Sequence, residues 1–197
     1  NFGSVLQAFA INKILPNSEI IDYSPYSAKK NFYYNFKKVA KVIISISFGH
    51  FFTRFRYSFE VFKYKKLYLS KIEFDEHNLA LCNSIYKNVV CGSDQIWAPN
   101  VFNPIYMANF VDGKLVNKIS YAASIGLNDI PDTLVGEYKN LLSDFSFISV
   151  REETGAELLK RECCIDNVFV ALDPTLLLKH DDYKKIERTV RIKGRYI

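Results

Sequence analysis

Apolar positions fall into short, well-separated blocks, and their spacing predicts the elements. Gly3 to Leu15 reads as a helix with Ser4 as its N-cap. Leu6, Phe9 and Ala10 are matched across the helix by Val5, Ala8, Ile11 and Ile14, the pattern of a helix buried nearly all round. Pro16-Asn17 stops it, and Glu19 to Tyr23 is a short strand ended by Ser24-Pro25. Val39, Val42, Ile43 and Ile46 recur at i, i+3, i+4 and i+7, so the segment around them is expected to be helical. Asp75 is expected to cap a further helix running to about Ser84.

From there a rhythm sets in. Strands are expected at Val89–Cys91, Lys118–Ala122, Phe145–Val150 and Val168–Leu172, with helices at about Thr133–Ser143 and Glu152–Arg161 between them. Apolar strands separated by amphipathic helices indicate a parallel sheet covered on both faces. That is a Rossmann-like α/β domain, whose ligands bind at the carboxyl ends of the strands. Gly194 to Ile197 resembles a strand that has only begun.

Composition narrows the class. The 197 residues are 49% hydrophobic and 24% charged, with mean hydropathy −0.05. These values exclude a disordered, collagen-like or multi-span membrane chain. A chain this long buries roughly 70% of its unfolded surface without disulfide or metal staples. The longest apolar stretch, Val39 to Phe52, is interrupted by Lys41, Gly49 and His50, and falls short of the roughly 20 residues that cross a bilayer. No secretory signal pattern opens the chain. Cys82, Cys91, Cys163 and Cys164 form no C-x-x-C pair and have no histidine at ligand spacing. Reduced thiols in the cytoplasm, with no metal and no cofactor, are therefore expected.

Charge is unevenly spread. The net charge is +5, yet Ser27 to Lys71 holds eleven basic residues against the single acid Glu60. Thirteen of the 29 Phe and Tyr residues lie between Phe32 and Tyr68. A basic, aromatic helical insert over about 27–71 is expected, either lying on a membrane surface or packing its aromatics inward. The rest of the chain is net acidic and carries no nucleic-acid motif, so no nucleic-acid partner is expected.

Each strand runs into a polar segment that could carry chemistry. Gly92-Ser93-Asp94-Gln95-Ile96-Trp97 offers close backbone approach, a hydroxyl, a carboxylate, an amide and a flat apolar face, which suits a sugar. The same residues equally make a capped turn with a core tryptophan. Ser120-Tyr121-Ala122-Ala123-Ser124 sets hydroxyls around two alanines, for a ligand or for tight packing. Arg151 is placed to fork onto a carboxylate or phosphate, or to pair with Glu152 or Glu153. Asp173-Pro174-Thr175 is a helix cap and turn, and Asn1-Phe2-Gly3-Ser4 opens a helix whose free amides could hold an anion. His50, His77 and His180 stand outside these segments, so none is an obvious general base.

Five segments in order, Asn1 to Ala10, Gly92 to Trp97, Lys118 to Ser124, Ser149 to Glu152 and Asp173 to Leu177, resemble the bacterial polysaccharide pyruvyl transferase family. The resemblance implies two Rossmann-like lobes arranged as in GT-B glycosyltransferases, with the reaction between them. On that reading residues 1–194 are an N-terminal lobe whose first strand would precede Asn1. Residues 195–197 would begin an absent C-terminal lobe, and this fragment alone would be inactive. The activity implied is transfer of a pyruvyl group from phosphoenolpyruvate to two hydroxyls of a cell-surface glycan or lipid-linked oligosaccharide, as a ketal. Asp94 would be the base, and Arg151 with the start of the first helix (Asn1, Gly3, Ser4) would hold anions. Gly92, Ser93, Gln95, Trp97, Tyr121 and Ser124 would line the acceptor site. The location implied is the cytoplasm, with peripheral contact at the inner membrane face. A nucleotide-sugar glycosyltransferase on the same scaffold and a non-catalytic glycan- or lipid-carrier-binding module are the alternatives.

Overall fold

The computed structural model describes residues 2–25, 68–184 and 186. Helix α1 (Phe2–Ile14) leads to strand β1 (Ile20–Tyr23) and, after the undescribed segment, β2 (Leu69–Phe74). A 3-10 turn at Leu79–Leu81 and the single helical turn α2 (Cys82–Ile85) follow. The chain continues through β3 (Asn88–Gly92), 3-10 turns at Pro99–Val101 and Pro104–Met107, β4 (Asn117–Tyr121) and α3 (Asp132–Leu142). It ends with β5 (Phe145–Val150), α4 (Glu153–Cys163), β6 (Val168–Val170), a 3-10 turn at Pro174–Leu176 and α5 (His180–Lys184). Every strand pairing among the described residues is parallel, so the protein is α/β with parallel sheets, as the apolar runs predict.

Two compact units emerge, Asn1–Ile14 with Lys87–Ile197, and Leu15–Tyr86. In the second, β1 and β2 form a parallel pair with a register shift between Ile20 and Asp22. Phe74 is fully buried there and tilts against Tyr86 with ring centroids 6.5 Å apart. The Tyr86 hydroxyl donates to Glu19 Oε1 at 2.6 Å.

Two expectations about this unit change. β2 is a strand that the apolar pattern does not show, and it overlaps the end of the insert expected over 27–71. The rest of that insert lies outside the described residues, as do Asn1 and the strand expected at 194–197. No continuous helix follows Asp75. Its backbone N–H donates to Asn78 Oδ1 and its Oδ1 accepts from His77 N–H, and such local side-chain bonds compete with helical ones.

The larger unit holds a sheet in the order β3-β4-β5-β6. Ile148, Val150 and Val168 pack with Tyr138, Leu142, Leu158, Leu159 and Cys163 of α3 and α4 in one core cluster. On the other face Phe147 and Phe169 stack at 4.9 Å and are 44% and 53% exposed. Among the described residues the expected covering of both faces is therefore met by α3 and α4 on one side, while the Phe147–Phe169 side stands open. α1 is likewise not buried all round. Phe9 and Ala10 are buried, whereas Leu6 and Ile14 are 39% and 40% exposed.

Between β4 and β5 the ladder shifts register after Lys118, and two serines take over the pairing. Ser120 Oγ accepts from Ser149 N–H at 2.9 Å and donates to Ser149 O at 2.8 Å. Ser149 Oγ donates to Ser120 O at 2.9 Å and accepts from Ala122 N–H at 3.0 Å. Both are buried, so hydroxyls stand in for ladder bonds where the strands reach the site. At the opposite strand end, buried Lys118 pairs with Asp144 Oδ1 at 2.6 Å and lies over the Phe145 ring.

Candidate active site

The loops after β3, β4, β5 and β6 all leave the same edge of the parallel sheet, and α1 is tied across them. Gly92 makes the first loop. Its φ is +152°, and a Cβ there would stand 2.0 Å from Tyr121 O, so only glycine lets β3 and β4 close at this point. The chain then presents Ser93 and Asp94 to α1. Ser4 Oγ donates to Asp94 Oδ2, and Gln7 Nε2 donates to Ser93 O at 3.2 Å and to Asp173 Oδ2 at 2.6 Å.

Arg151, leaving β5, works on the same groups from the other side. Its Nη1 donates to Ser93 O at 3.1 Å and Asp173 Oδ2 at 3.2 Å, and its Nε to Glu152 Oε1 at 3.1 Å. Of the two readings of Arg151, the ion pair is the one whose geometry is present, with a second carboxylate added. Among the described residues Nη2 has no partner and is left for a ligand.

Asp173 is the hub. Its Oδ1 accepts from Thr175 N–H at 3.0 Å and Thr175 Oγ1 at 2.6 Å, so it also caps the turn at 174–176. Burial pushes the Asp173 carboxyl upward, but hydrogen bonds from Thr175, Gln7 and Arg151 outweigh it and hold the group below the ordinary 3.8. Tyr183 closes the far wall, its hydroxyl donating to Thr175 O at 2.6 Å and its ring 6.3 Å from that of Phe9. Gly3, Leu6, Gln7, Asp173, Thr175 and Tyr183 line an open pocket of about 390 Å³.

Several expected site residues are placed differently. Trp97 is fully buried, donates its Nε1–H to Tyr106 O at 3.1 Å and meets Phe145 edge-on at 5.8 Å. It is a core residue, and its face is packed rather than offered to a sugar. Ser124 is also fully buried, its hydroxyl donating to Glu152 Oε1 at 2.6 Å. Tyr121 donates to Leu172 O at 3.1 Å, tying the loops after β4 and β6. Ser4 is not an N-cap, since α1 already starts at Phe2, and its hydroxyl is spent on Asp94. The helix start thus adjoins a carboxylate, which is poor company for an anion. Gln95 is exposed, its N–H donating to Asp94 Oδ1 at 2.9 Å.

Gln7 gives no local signal in the sequence because its partners lie 86 and 166 residues away, and the sequence shows Glu152 and Asp173 only as an ion-pair partner and a cap. Three buried polar atoms in this neighbourhood, Gln7 Oε1, Ser93 Oγ and Glu152 Oε2, have no hydrogen-bond partner among the described residues. Such atoms are costly unless a ligand or water completes them. The charge is lopsided as well, with Asp94, Glu152 and Asp173 around the single Arg151.

Fold and site together define a parallel α/β protein with a polar cleft, rich in oxygen acceptors, at the carboxyl ends of its strands. The model of the polysaccharide pyruvyl transferase family matches residues 1–197, the whole chain. The chain belongs to that family of transferases, whose acceptor is a polysaccharide. No curated protein and no solved structure matches it. Among the described residues no helix is long and apolar enough to cross a membrane.

Proposed function

We propose that this cleft holds the sugar acceptor in the transfer of a pyruvyl group from phosphoenolpyruvate to two hydroxyls of one glycan residue. In that reaction both hydroxyl oxygens bond to the enol carbon, the methylene carbon gains one of their protons and becomes methyl, and phosphate leaves with the other. The observation that supports an acceptor site is the surplus of carboxylates over cations. Carboxylate oxygens accept from sugar hydroxyls, whereas a donor carrying phosphate and carboxylate would meet repulsion here.

Asp94 is the base on this reading. Its two oxygens take one protein hydrogen bond each, from Ser4 and Gln95, and each keeps a lone pair for a sugar hydroxyl. The cations for phosphoenolpyruvate then come from outside this cluster, with Arg151 Nη2 as its one contribution. A second Rossmann-like lobe in a GT-B-like arrangement would supply the rest. The basic segment over 27–71 would bring the enzyme to lipid-linked acceptors at the cytoplasmic membrane face, which flotation with anionic vesicles at low and high salt checks.

The deciding experiment incubates full-length protein with phosphoenolpyruvate and a glycan acceptor, following phosphate release and ketal mass together. Asp94→Asn is expected to lower the rate by about 10²–10⁴, the usual worth of a general base. Turnover of a nucleotide sugar instead of phosphoenolpyruvate would overturn the reading.

A further inference from the structure

We propose a second sugar subsite beside the first, in the pocket of about 320 Å³ between the 3-10 turn after β3 and the loop after β4. Pro99, Asn100, Leu127, Asn128, Asp129 and Pro131 line it. The proposal rests on the acceptor reading above and adds that the cleft grips the neighbouring residue of the polysaccharide as well as the one that is modified.

The chemistry of the lining selects the ligand. The volume lies at the lower end of small-ligand sites, about 300–1,000 Å³. Asn100 and Asn128 each bring donors and an acceptor, and Asp129 brings two more acceptor oxygens. None of the three side chains makes a hydrogen bond among the described residues, and all three are exposed. Among the described residues no cation lines the pocket, which disfavours phosphates and nucleic acid. Leu127, 42% exposed, and the two prolines offer rigid apolar surface to the C–H face of a pyranose.

The two subsites are linked through Gln95 and Gly126. Asp94 is followed by the exposed Gln95, whose side chain lies against Gly126, where a Cβ would stand 2.4 Å from Gln95 Nε2. Gly126 holds φ +64° and leads directly into Leu127, Asn128 and Asp129. A glycan with one residue at Asp94 therefore runs over Gln95 and Gly126 into the second pocket. Trp97, Ile125 and Ile130, all fully buried, anchor the two loops in the core.

The test uses isotope-labelled full-length protein and gluco-, galacto- and manno-oligosaccharides of one to four units. Oligosaccharides of two or more units should shift the side-chain amide signals of Asn100 and Asn128, while monosaccharides leave them unmoved. Asn128→Ala with Asp129→Ala should weaken the longer sugars about tenfold, as expected for losing two hydrogen bonds, and spare monosaccharide binding. Unmoved amides with every sugar, or an equal loss for mono- and oligosaccharides, overturns the subsite. Shifted amides without ketal formation from phosphoenolpyruvate would overturn the pyruvyl reading and leave the subsite standing.

Discussion

Gln7 and Arg151 donate to the same two acceptors, the carbonyl of Ser93 and Oδ2 of Asp173. One donor arrives from α1 and the other from the end of β5, so the pair locks helix, first loop and last loop into one rigid corner. Groups that share partners do not contribute independently. Gln7→Ala and Arg151→Ala are expected to show a coupling of about 0.5–3 kcal/mol in a double-mutant cycle read by urea unfolding. Simple additivity would mean that the corner is not a unit.

Gly92 tolerates nothing larger. With φ +152° and Tyr121 O only 2.0 Å from a Cβ, Gly92→Ala must push β3 and β4 apart. A loss above about 3 kcal/mol is expected, visible as a large fall in Tm. Gly136, with open space around its Cβ position, is the control. Gly136→Ala in α3 should stabilise by about 0.5–1 kcal/mol.

Acid should loosen the same corner. The folded-state pKa of Asp173 is depressed, so its stabilisation is present in full above the ordinary 3.8 and fades as pH falls through the lower folded value. Asp173→Asn should remove that part of the acid sensitivity. It should also lower stability at neutral pH, because Arg151 and Gln7 lose a charged acceptor. Urea melts of both proteins from pH 7 down to pH 3 measure the difference.

The four thiols should separate by reactivity. Burial raises Cys82 and Cys163 to about 11, and burial offset in part by Lys118 leaves Cys91 at about 12. Cys164, at the end of α4, is exposed. Thiolate is the reactive form, so iodoacetamide at pH 8 should label Cys164 first in the native protein. Peptide mass spectrometry reads the order, and early labelling of Cys91 would contradict the packing around β3.

Much of the fold was legible because four strands are short segments carrying apolar residues and ending in polar turns. Phe145–Val150 was placed to the residue, and the others within one or two. β2 was hidden because Leu-Ser-Lys-Ile-Glu-Phe buries only Ser70 and Phe74, leaving no apolar stripe to read. The polar corner was half legible. Ser93, Asp94 and Arg151 announce themselves by following strands, while Gln7 gives no local signal. Trp97 shows the opposite failure. Its position after a strand suits a ligand as well as a core, and only Phe145, far along the chain, decides for the core.

The 166 residues between Gln7 and Asp173 also set an order of events on the ribosome. At about 5–20 residues per second, roughly 10–30 s separate the synthesis of the two. Throughout that interval the first helix exists without its anchor, and Phe9 has yet to meet Tyr183. The cleft is thus completed only after the sixth strand has been made. Of the elements in this corner α1 waits longest for its place, open to holding chaperones until the stretch after the sixth strand has been made.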